Sequence, residues 1–543
     1  MSCGSERQCP GPASASVSLI SEVQELIGKE LVCMRVLMFG WEFPPFKTGG
    51  LGTACYGLTR GLKHMGVEVI FVVPKSYSPE ASEHVRVIGA KDVHVSLEEV
   101  EDYTQGQLAE TSERIKGIAP QDIHTGLEET GDYTHVQLIK VNVHLSPYTR
   151  LERHSEVQEV PYRSQRKVAA ANTPSGNTVR SEQLHRESVP EVQEVPHRSR
   201  SKATARNTPS DNIAGTDDLY GKSLSEEIEE YTVKARIIAE REKVDIIHAH
   251  DWMTFQAGIE ARKVSGKPLV IHIHSTEYDR TGGWYPNPVV CDIEQTGARE
   301  ADQVMTVSNR TKRAIVENYG IPAEKISVVY NAIDAGDSTS NRSAERYLGK
   351  RIVLFLGRIT LQKGPDYFLE AASKVLEKEP DTLFVMAGNG DMMYRMIERA
   401  SDLNMGHKVL FSGFLRGSEV DRMYDMADVY VMPSVSEPFG ITPLEAMSHG
   451  VPVIISRQSG VSEVIKHALK VDFWDIDKLA DRIVSVLRYR ALCDMLKKNG
   501  KSETRSFSWD NSAIQCINVY NRTLERILPK RESIPSKLEA HTI

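Results

Sequence analysis

The strongest constraint on this chain is an alternation, met twice, of short β-branched apolar runs with longer amphipathic ones. From Arg35 the sequence reads as a strand (VLMF), a glycine-bearing loop (KTGGLG), a helix-like run (TACYGLTRGLKHM) that Gly66 ends, and a second strand (VEVIFVV). Strand, helix and strand in that order make a parallel pair with a right-handed crossover. The pattern resumes near Leu224 with EEIEEYTVKARIIAEREK and continues through VDIIHAH, PLVIHIH, DQVMTVS and KISVVYN. A second unit starts at RIVLFLGRIT and carries the strands TLFVMAG, KVLFSGF, VYVMP and PVIIS between helical stretches. The expected fold class is α/β, with two doubly wound parallel-sheet domains facing a cleft. In such sheets ligands sit beyond the strand carboxyl ends.

Boundaries follow from shifts in composition. Residues 1–33 read as a flexible extension, because Met34 opens an apolar strand directly and is itself a possible start of translation. Between Lys91 and Gly215 the chain changes character. DVHVSLEEVEDYTQGQL near Asp92 returns about 30 residues later as DIHTGLEETGDYTHVQL, and EVQEVPYRSQRKVAAANTPSGN near Glu156 returns about 35 residues later as EVQEVPHRSRSKATARNTPSDN. The second duplication is rich in Pro, Ser, Arg, Gln and Thr and has little to bury, so 91–215 is expected to be a low-complexity, largely disordered insertion in the first domain. That first domain spans 34–330, a polar hinge around AGDSTSNRSAER spans 331–349, the second domain spans 350–506, a closing helix spans 507–530, and 531–543 is a tail.

Bulk properties narrow the partners. At 543 residues, a net charge of −8 with 26% charged residues argues against nucleic acid or an anionic membrane. No stretch reaches the ~18 apolar residues of a membrane span, and no secretory leader is evident. The seven cysteines are scattered without a C-x-x-C pair, so neither a disulfide framework nor a thiolate zinc site is expected. A cytoplasmic location fits, while the oligomeric state is not legible.

Four motifs carry chemistry. GRITLQKG (357–364) leaves a strand and enters a helix, and its Arg358 and Lys363 suit a diphosphate, although two solvated loop cations would look the same. In EPFGITPLEAM (437–447), Thr442 fits an N-cap, Pro443 the first helical position and Glu445 the third, a capping box that would account for Glu445 fully. Glu437 has no such structural duty and is the better candidate for holding ligand hydroxyls. HAHDW (248–252) and HIHSTEYDR (272–280) end two strands, pairing His248 with His250 and His272 with His274 on one face each. These are either a metal cluster with Asp251 or hydrogen-bonded core histidines, and nothing further completes a hydrolytic site. FPPFKTGGLG (43–52) is glycine-rich, but it is not the G-x-G-x-x-G fingerprint and no acidic residue ends the following strand, so a nicotinamide reading fails.

Together these segments resemble a retaining glycosyltransferase of the two-Rossmann (GT-B) type, and are similar in particular to the glycogen and starch synthases. KTGGL and HAHDW carry the glycogen-synthase likeness; GRITLQKG and EPFGITPLEAMSHG carry the likeness to the broader nucleotide-sugar superfamily. The likeness covers about residues 34–90 and 216–530. It implies an acceptor-binding first domain and a donor-binding second one. It further implies that Arg358 and Lys363 bind the donor diphosphate, with Lys47, Gly49 and Gly50 near the donor. Glu437 would contact the transferred sugar, Glu445 the ribose, and the backbone of Phe439, Gly440, Ile441 and Thr442 the sugar and phosphate oxygens. Asp251 and His274 would line the sugar pocket beside the reacting centre, and Phe414 and Leu415 would lie against the nucleobase. Bacterial and plant glycogen synthases usually lack the second glutamate that this chain has, which leaves the acceptor open.

The expected activity is transfer of glucose from ADP- or UDP-glucose to the non-reducing end of an α-1,4-glucan. Arg358 and Lys363 supply the charge a leaving diphosphate needs, so no metal or other cofactor is expected to be required. Competing readings are transfer to a lipid-linked or small-molecule sugar, a metallohydrolase built on the histidines, and a sugar-nucleotide sensor without turnover.

Overall fold

The computed structural model describes residues 34–44, 50–75, 84–93, 224–334 and 349–527. The N-terminal extension, the duplicated insertion except its first residues, most of the hinge, the tail, and Lys47 and Gly49 lie outside the described residues.

The first sheet holds β1 (Arg35–Phe39), β2 (Glu68–Val73), β3 (Arg86–Gly89), β4 (Ile246–His250), β5 (Leu269–Ile273), β6 (Gln303–Thr306) and β7 (Ile326–Val328). The second holds β8 (Arg351–Leu356), β9 (Thr382–Ala387), β10 (Val409–Gly413), β11 (Val429–Met432), β12 (Val453–Ser456) and β13 (Leu469–Val471). Their orders are β3-β2-β1-β4-β5-β6-β7 and β10-β9-β8-β11-β12-β13, and every pairing is parallel. Both sheets therefore reverse their winding once, between β1 and β4 and between β8 and β11. Loops leaving the strands at those two points line the natural ligand crevice of this architecture. The strands are buried on both faces, as in Ile246 to His250, because helices cover each side.

The helices of the first unit are α1 (Gly50–His64), α2 (Leu224–Arg241), α3 (Trp252–Ser265), α4 (Pro288–Glu300) and α5 (Asn309–Tyr319). Those that follow are α6 (Pro365–Lys378), α7 (Met393–Asp402), α8 (Ser418–Met426), α9 (Thr442–Ser448), α10 (Ile476–Arg488), α11 (Arg490–Glu503) and α12 (Trp509–Ile527). The strand β3, which falls at the edge of the insertion, was not legible from four residues of which only Gly89 is buried.

The last helix returns to the first sheet. Trp509, Ala513, Cys516 and Tyr520 belong to the core built on β1, β2 and α1, not to the core of the second sheet. Two glycines of α1 make room for it. A Cβ on Gly57 would lie 2.1 Å from the Trp509 ring, and one on Gly61 would lie 2.5 Å from the Trp509 carbonyl oxygen. The two crossings between the sheets run side by side, since Ile333 forms a parallel bridge with Ser508. Among the described residues no helix is long and apolar enough to cross a membrane.

Candidate functional site

The site is built from strand ends at both reversal points. At the end of β8, Gly357 and Arg358 turn into Thr360 and a short 3-10 turn, Leu361–Lys363, before Gly364 starts α6. This turn lies hard against its neighbours. A Cβ on Gly388 would meet the Gly357 carbonyl oxygen at 1.9 Å, one on Gly390 the Ile359 carbonyl oxygen at 2.3 Å, and one on Gly364 the Pro433 carbonyl oxygen at 2.3 Å. The Gly388-Asn389-Gly390 stretch is thus the backing of the Arg358 loop. Gln362 couples the turn to the next loop, its carbonyl accepting the backbone N–H of Val435 at 2.9 Å.

That coupling brings Lys363 and Glu437 together. The Lys363 ammonium donates to the Glu437 carboxylate, whose same oxygen also accepts from the Ser434 hydroxyl at 3.3 Å. Glu437 is buried and Lys363 half-buried. The peptide flanking Glu437 is fixed on both sides, its N–H donating to the Gln458 carbonyl and its carbonyl accepting from Gly460. Gly440, with φ of 99°, folds back so that its α-carbon passes close to the Glu437 side chain and Met432. A cation and a carboxylate placed in this way suit a ligand that carries anionic and hydroxyl groups.

The helix after EPFGI corrects two sequence expectations. Its cap residue is Ile441, so Thr442 and Pro443 are the first two helical residues and Glu445 the fourth, and no capping box forms. Thr442 instead accepts the Tyr430 hydroxyl at 2.7 Å, and Glu445 accepts the Tyr424 hydroxyl at 2.9 Å. Burial pushes both phenols up in pKa, so both stay protonated donors. The local explanation offered for Glu445 therefore falls away. Phe439 is 2% exposed in the second core, so only its backbone can meet a ligand, while Ile441 packs against both cores.

On the first sheet, Asp251 follows β4 with φ 59° and ψ 165°, a region that side chains other than glycine's rarely enter. Its carboxylate accepts the backbone N–H of His274 at 2.7 Å and of Ser275 at 3.4 Å, tying the end of β4 to the end of β5. Burial raises its pKa to about 7 against the pull of Arg280 and of the His274 amide. His274 Nε2 lies 3.0 Å from His250 Nδ1, and burial drives its pKa down to about 3. His248, His250 and His272 are also held neutral, by burial first and by each other second.

These four rings form one stack, with centroids 4.2 Å apart for His248 and His250 and 4.3 Å for His272 and His274. His248 Nδ1 meets the Tyr520 hydroxyl at 2.6 Å, and among the described contacts His248 Nε2, His250 Nε2 and both His272 nitrogens have no partner. Two groups could hold a metal ion, His248 with His250 and His272, and Cys55 with His250 and His274, their ligand atoms lying within 4.8 Å of one another. Every member is buried, and neighbouring rings are tilted by only 17° to 35°. A hydrolytic metal needs an open position that water and substrate reach, which a cluster sealed in this way does not offer.

The remaining expected positions are peripheral or at the surface. Phe414 is 51% exposed, with the Arg416 guanidinium 5.4 Å from its ring centroid, and Leu415 packs on the second core. Gly50 is exposed at the start of α1, and among the described residues nothing lies within 4 Å of a Cβ built there.

Sequence reasoning missed the residues that join the two sheets. Ser436 donates to Asp279 at 2.7 Å and accepts from Arg310 at 3.1 Å. Ser308, the cap of α5, donates to the Pro438 carbonyl at 2.6 Å, so the EPFG loop is held from the other sheet's side. Glu463 accepts the N–H groups of Asn309 at 2.9 Å and Arg310 at 2.7 Å. Ser308 before an amphipathic run was legible as a cap; its second bond, 130 residues away, was not.

Comparison with known proteins adds to this geometry. Residues 337–503 match the family model described as glycosyl transferases group 1, 228–337 that of glycosyltransferase family 4, and 35–119 that of the starch synthase catalytic domain. An uncharacterized glycosyltransferase of Methanocaldococcus jannaschii is 37% identical over 304 residues, covering 52% of this chain and 77% of the relative. The glycogen synthase of Mycobacterium tuberculosis is 29% identical over 283 residues, covering 51% and 68%. In fold the chain is similar to sucrose-phosphate synthase from Thermosynechococcus elongatus, with a TM-score of 0.59 at 16% identity over 91% of this chain and 100% of that one. It is likewise similar to Anabaena HepE, solved with UDP and glucose, with a TM-score of 0.55 at 13% identity over 90% and 100%.

Proposed function

The chain belongs to the group 1 glycosyltransferases of the GT-B fold, and on that premise we propose that it moves glucose, with retention, from UDP- or ADP-glucose to the non-reducing end of an α-1,4-glucan. The observation that carries the reading is the Lys363–Glu437 pair, a cation and a carboxylate on adjoining loops at the reversal point of the second sheet. The glucan acceptor is favoured by the starch synthase match over 35–119 and by the mycobacterial glycogen synthase. The glucosyl donor is in keeping with the UDP and glucose bound by Anabaena HepE.

In this reading Lys363 and Arg358 hold the donor diphosphate and Glu437 holds hydroxyls of the sugar. The bond between the anomeric carbon and the diphosphate oxygen breaks as the acceptor hydroxyl bonds to that carbon from the same face. The departing phosphate takes the acceptor proton, giving a nucleoside diphosphate and a lengthened glucan. Charge grows on the phosphate oxygens as the bond opens, and fixed cations there lower the barrier without reorganising. Glu445, held by Tyr424, faces the ribose, and Phe414 and Leu415 meet the base. Lys47, Gly49 and Gly50 approach the donor from the first domain. Asp251 and His274, locked together through the His274 amide, shape the sugar pocket from that side.

The test is nucleotide release from UDP-glucose and from ADP-glucose with glycogen as acceptor, with Lys363→Ala and Glu437→Ala alongside. Loss in both variants is expected, and full activity in both would sink the residue assignments. Unchanged turnover in excess EDTA is expected too; abolition by the chelator would instead favour a reaction built on the buried histidines. Release that appears only with a lipid-linked or small-molecule acceptor would keep the donor half of the reading and replace the acceptor.

A further inference from the structure

We infer that Trp284 and Tyr285 form a stacking platform for the saccharide acceptor, a subsite on the first domain that faces the donor loops of the second. The inference rests on the transferase reading for what the platform serves.

The two aromatics sit at the tip of a loop after β5 whose base is rigid. A one-turn helix, Glu277–Arg280, is capped by Thr276 and Asp279. The Arg280 guanidinium is buried between Glu277 at 3.0 Å and Glu294 at 2.5 Å, and donates to the Ser275 carbonyl at 2.8 Å. Glu277 also accepts the Asn287 N–H at 3.1 Å, so one carboxylate fastens both ends of the loop. Between these anchors the chain reads Thr-Gly-Gly-Trp-Tyr-Pro, without a charged residue.

The tip conformation turns the rings outward. Gly282, Gly283 and Tyr285 all have positive φ, and at Tyr285, with φ 47°, that conformation is unfavourable for a bulky residue. Trp284 is 65% exposed and Tyr285 85%. Single exposed aromatics are ordinary, but two in succession, held out by a strained backbone on a buried ionic base, are not what folding alone selects.

Position supplies the ligand class. A Cβ on Gly282 would lie 3.4 Å from a Val435 methyl and 4.0 Å from one of Leu361, and Asp279 accepts the Ser436 hydroxyl. Val435 and Ser436 immediately precede Glu437, and Leu361 lies two residues before Lys363. The platform therefore adjoins the two loops that carry the donor pair. Aromatic faces on a tip whose own residues carry no charge suit the C–H face of a neutral pyranose, whose hydroxyls stay at the rim and in water.

Trp284→Ala and Tyr285→Ala are made in the full chain and assayed with maltoheptaose as acceptor. Expected is a roughly tenfold rise in acceptor KM with the KM for the nucleotide-glucose donor, its slow hydrolysis and the urea midpoint unchanged. Trp284→Phe should recover most of the loss. Tyr285→Gly should be at least as stable as the parent, because it relieves the positive φ, yet still bind acceptor poorly. An acceptor KM within twofold of the parent, or a donor KM that rises in step, overturns the platform while leaving the transferase reading intact. Should the parent chain transfer to no maltooligosaccharide, electrophoresis through glycogen-containing gels decides without turnover. Retardation of the parent lost in Trp284→Ala supports the platform, and equal mobility of the two overturns it.

Discussion

Removing either member of the Lys363–Glu437 pair should have unequal consequences, and the inequality follows from exposure. The side chain of Glu437 is 7% exposed and that of Lys363 is 21%. Deleting one partner of a buried pair typically costs about 3–5 kcal/mol, because the other charge is left in a poor solvent. In Lys363→Ala the stranded charge is the better buried one, with the Ser434 hydroxyl at 3.3 Å as its remaining side-chain donor among the described residues. A loss of about 3 kcal/mol is expected there. In Glu437→Gln the stranded group is a flexible ammonium that already reaches solvent, and the loss should be nearer ~1 kcal/mol, the range of exposed pairs. The difference of ~2 kcal/mol corresponds to roughly 0.7 M in urea midpoint for a slope near ~3 kcal/mol/M. Ligand binding should order the variants differently. By calorimetry, Glu437→Gln should bind free UDP or ADP as well as the parent, since its lysine is released for the diphosphate, whereas Lys363→Ala should bind at least tenfold more weakly. Turnover should fall in both, by about 10²–10³ for loss of the cation. A Glu437→Gln protein less stable than Lys363→Ala, or unweakened diphosphate binding in Lys363→Ala, would refute the reasoning.

Two further outcomes follow from the first domain. His248, His250, His272 and His274 are held neutral when folded but take up protons near pH ~6.5 when unfolded. Their contribution is therefore complete above about pH 6.5 and is lost as pH falls toward the folded values. Asp251, raised to about 7, and Glu294, raised by burial, work the other way across the acid range, while the neighbouring Cys55 and Tyr520 stay neutral. Four imidazoles outweigh two carboxyls, so chemical denaturation between pH 7 and 5 should show falling stability with a net uptake of protons on unfolding. Flat or rising stability would show that the histidine stack is not neutral. Separately, Gly57→Ala places a methyl 2.1 Å from the Trp509 ring and should cost about 1–3 kcal/mol, with cleavage within α12 faster than in the parent. Cleavage kinetics like the parent's would contradict the packing of α12 on α1.

The sheets were legible because their signal is local. Each strand is a short β-branched run, and each is followed by an amphipathic helix, so period and length identify them without knowledge of partners. The alternation also fixed parallel pairing. The return of α12 to the first core was not legible, because an amphipathic helix shows that a face is buried but not against what. Its signal was present in α1, where Gly57 and Gly61 lie one turn apart, but glycines in a helix acquire that meaning only once Trp509 is known to lie on them.

The candidate site divides in the same way. Glu437 and Lys363 were singled out separately, each from its own loop, and their pairing depends on the Gln362 carbonyl meeting Val435, a contact between residues 73 positions apart that no local pattern encodes. The capping box failed for a related reason. Thr-Pro-Leu-Glu has the spacing of a cap, but burial of Tyr430 and Tyr424 below the helix demands acceptors for their hydroxyls, and Thr442 and Glu445 supply them. A buried phenol left unpaired is expensive, so the tertiary demand displaces the local motif. The same reasoning sharpens the case of Asp251. Its carboxylate satisfies two backbone N–H groups that β5 leaves at its end, yet an asparagine could do so without a buried acid and would tolerate positive φ better. A titratable group at a strained position, where a neutral one would serve the fold, supports the proposal that Asp251 lines the sugar pocket.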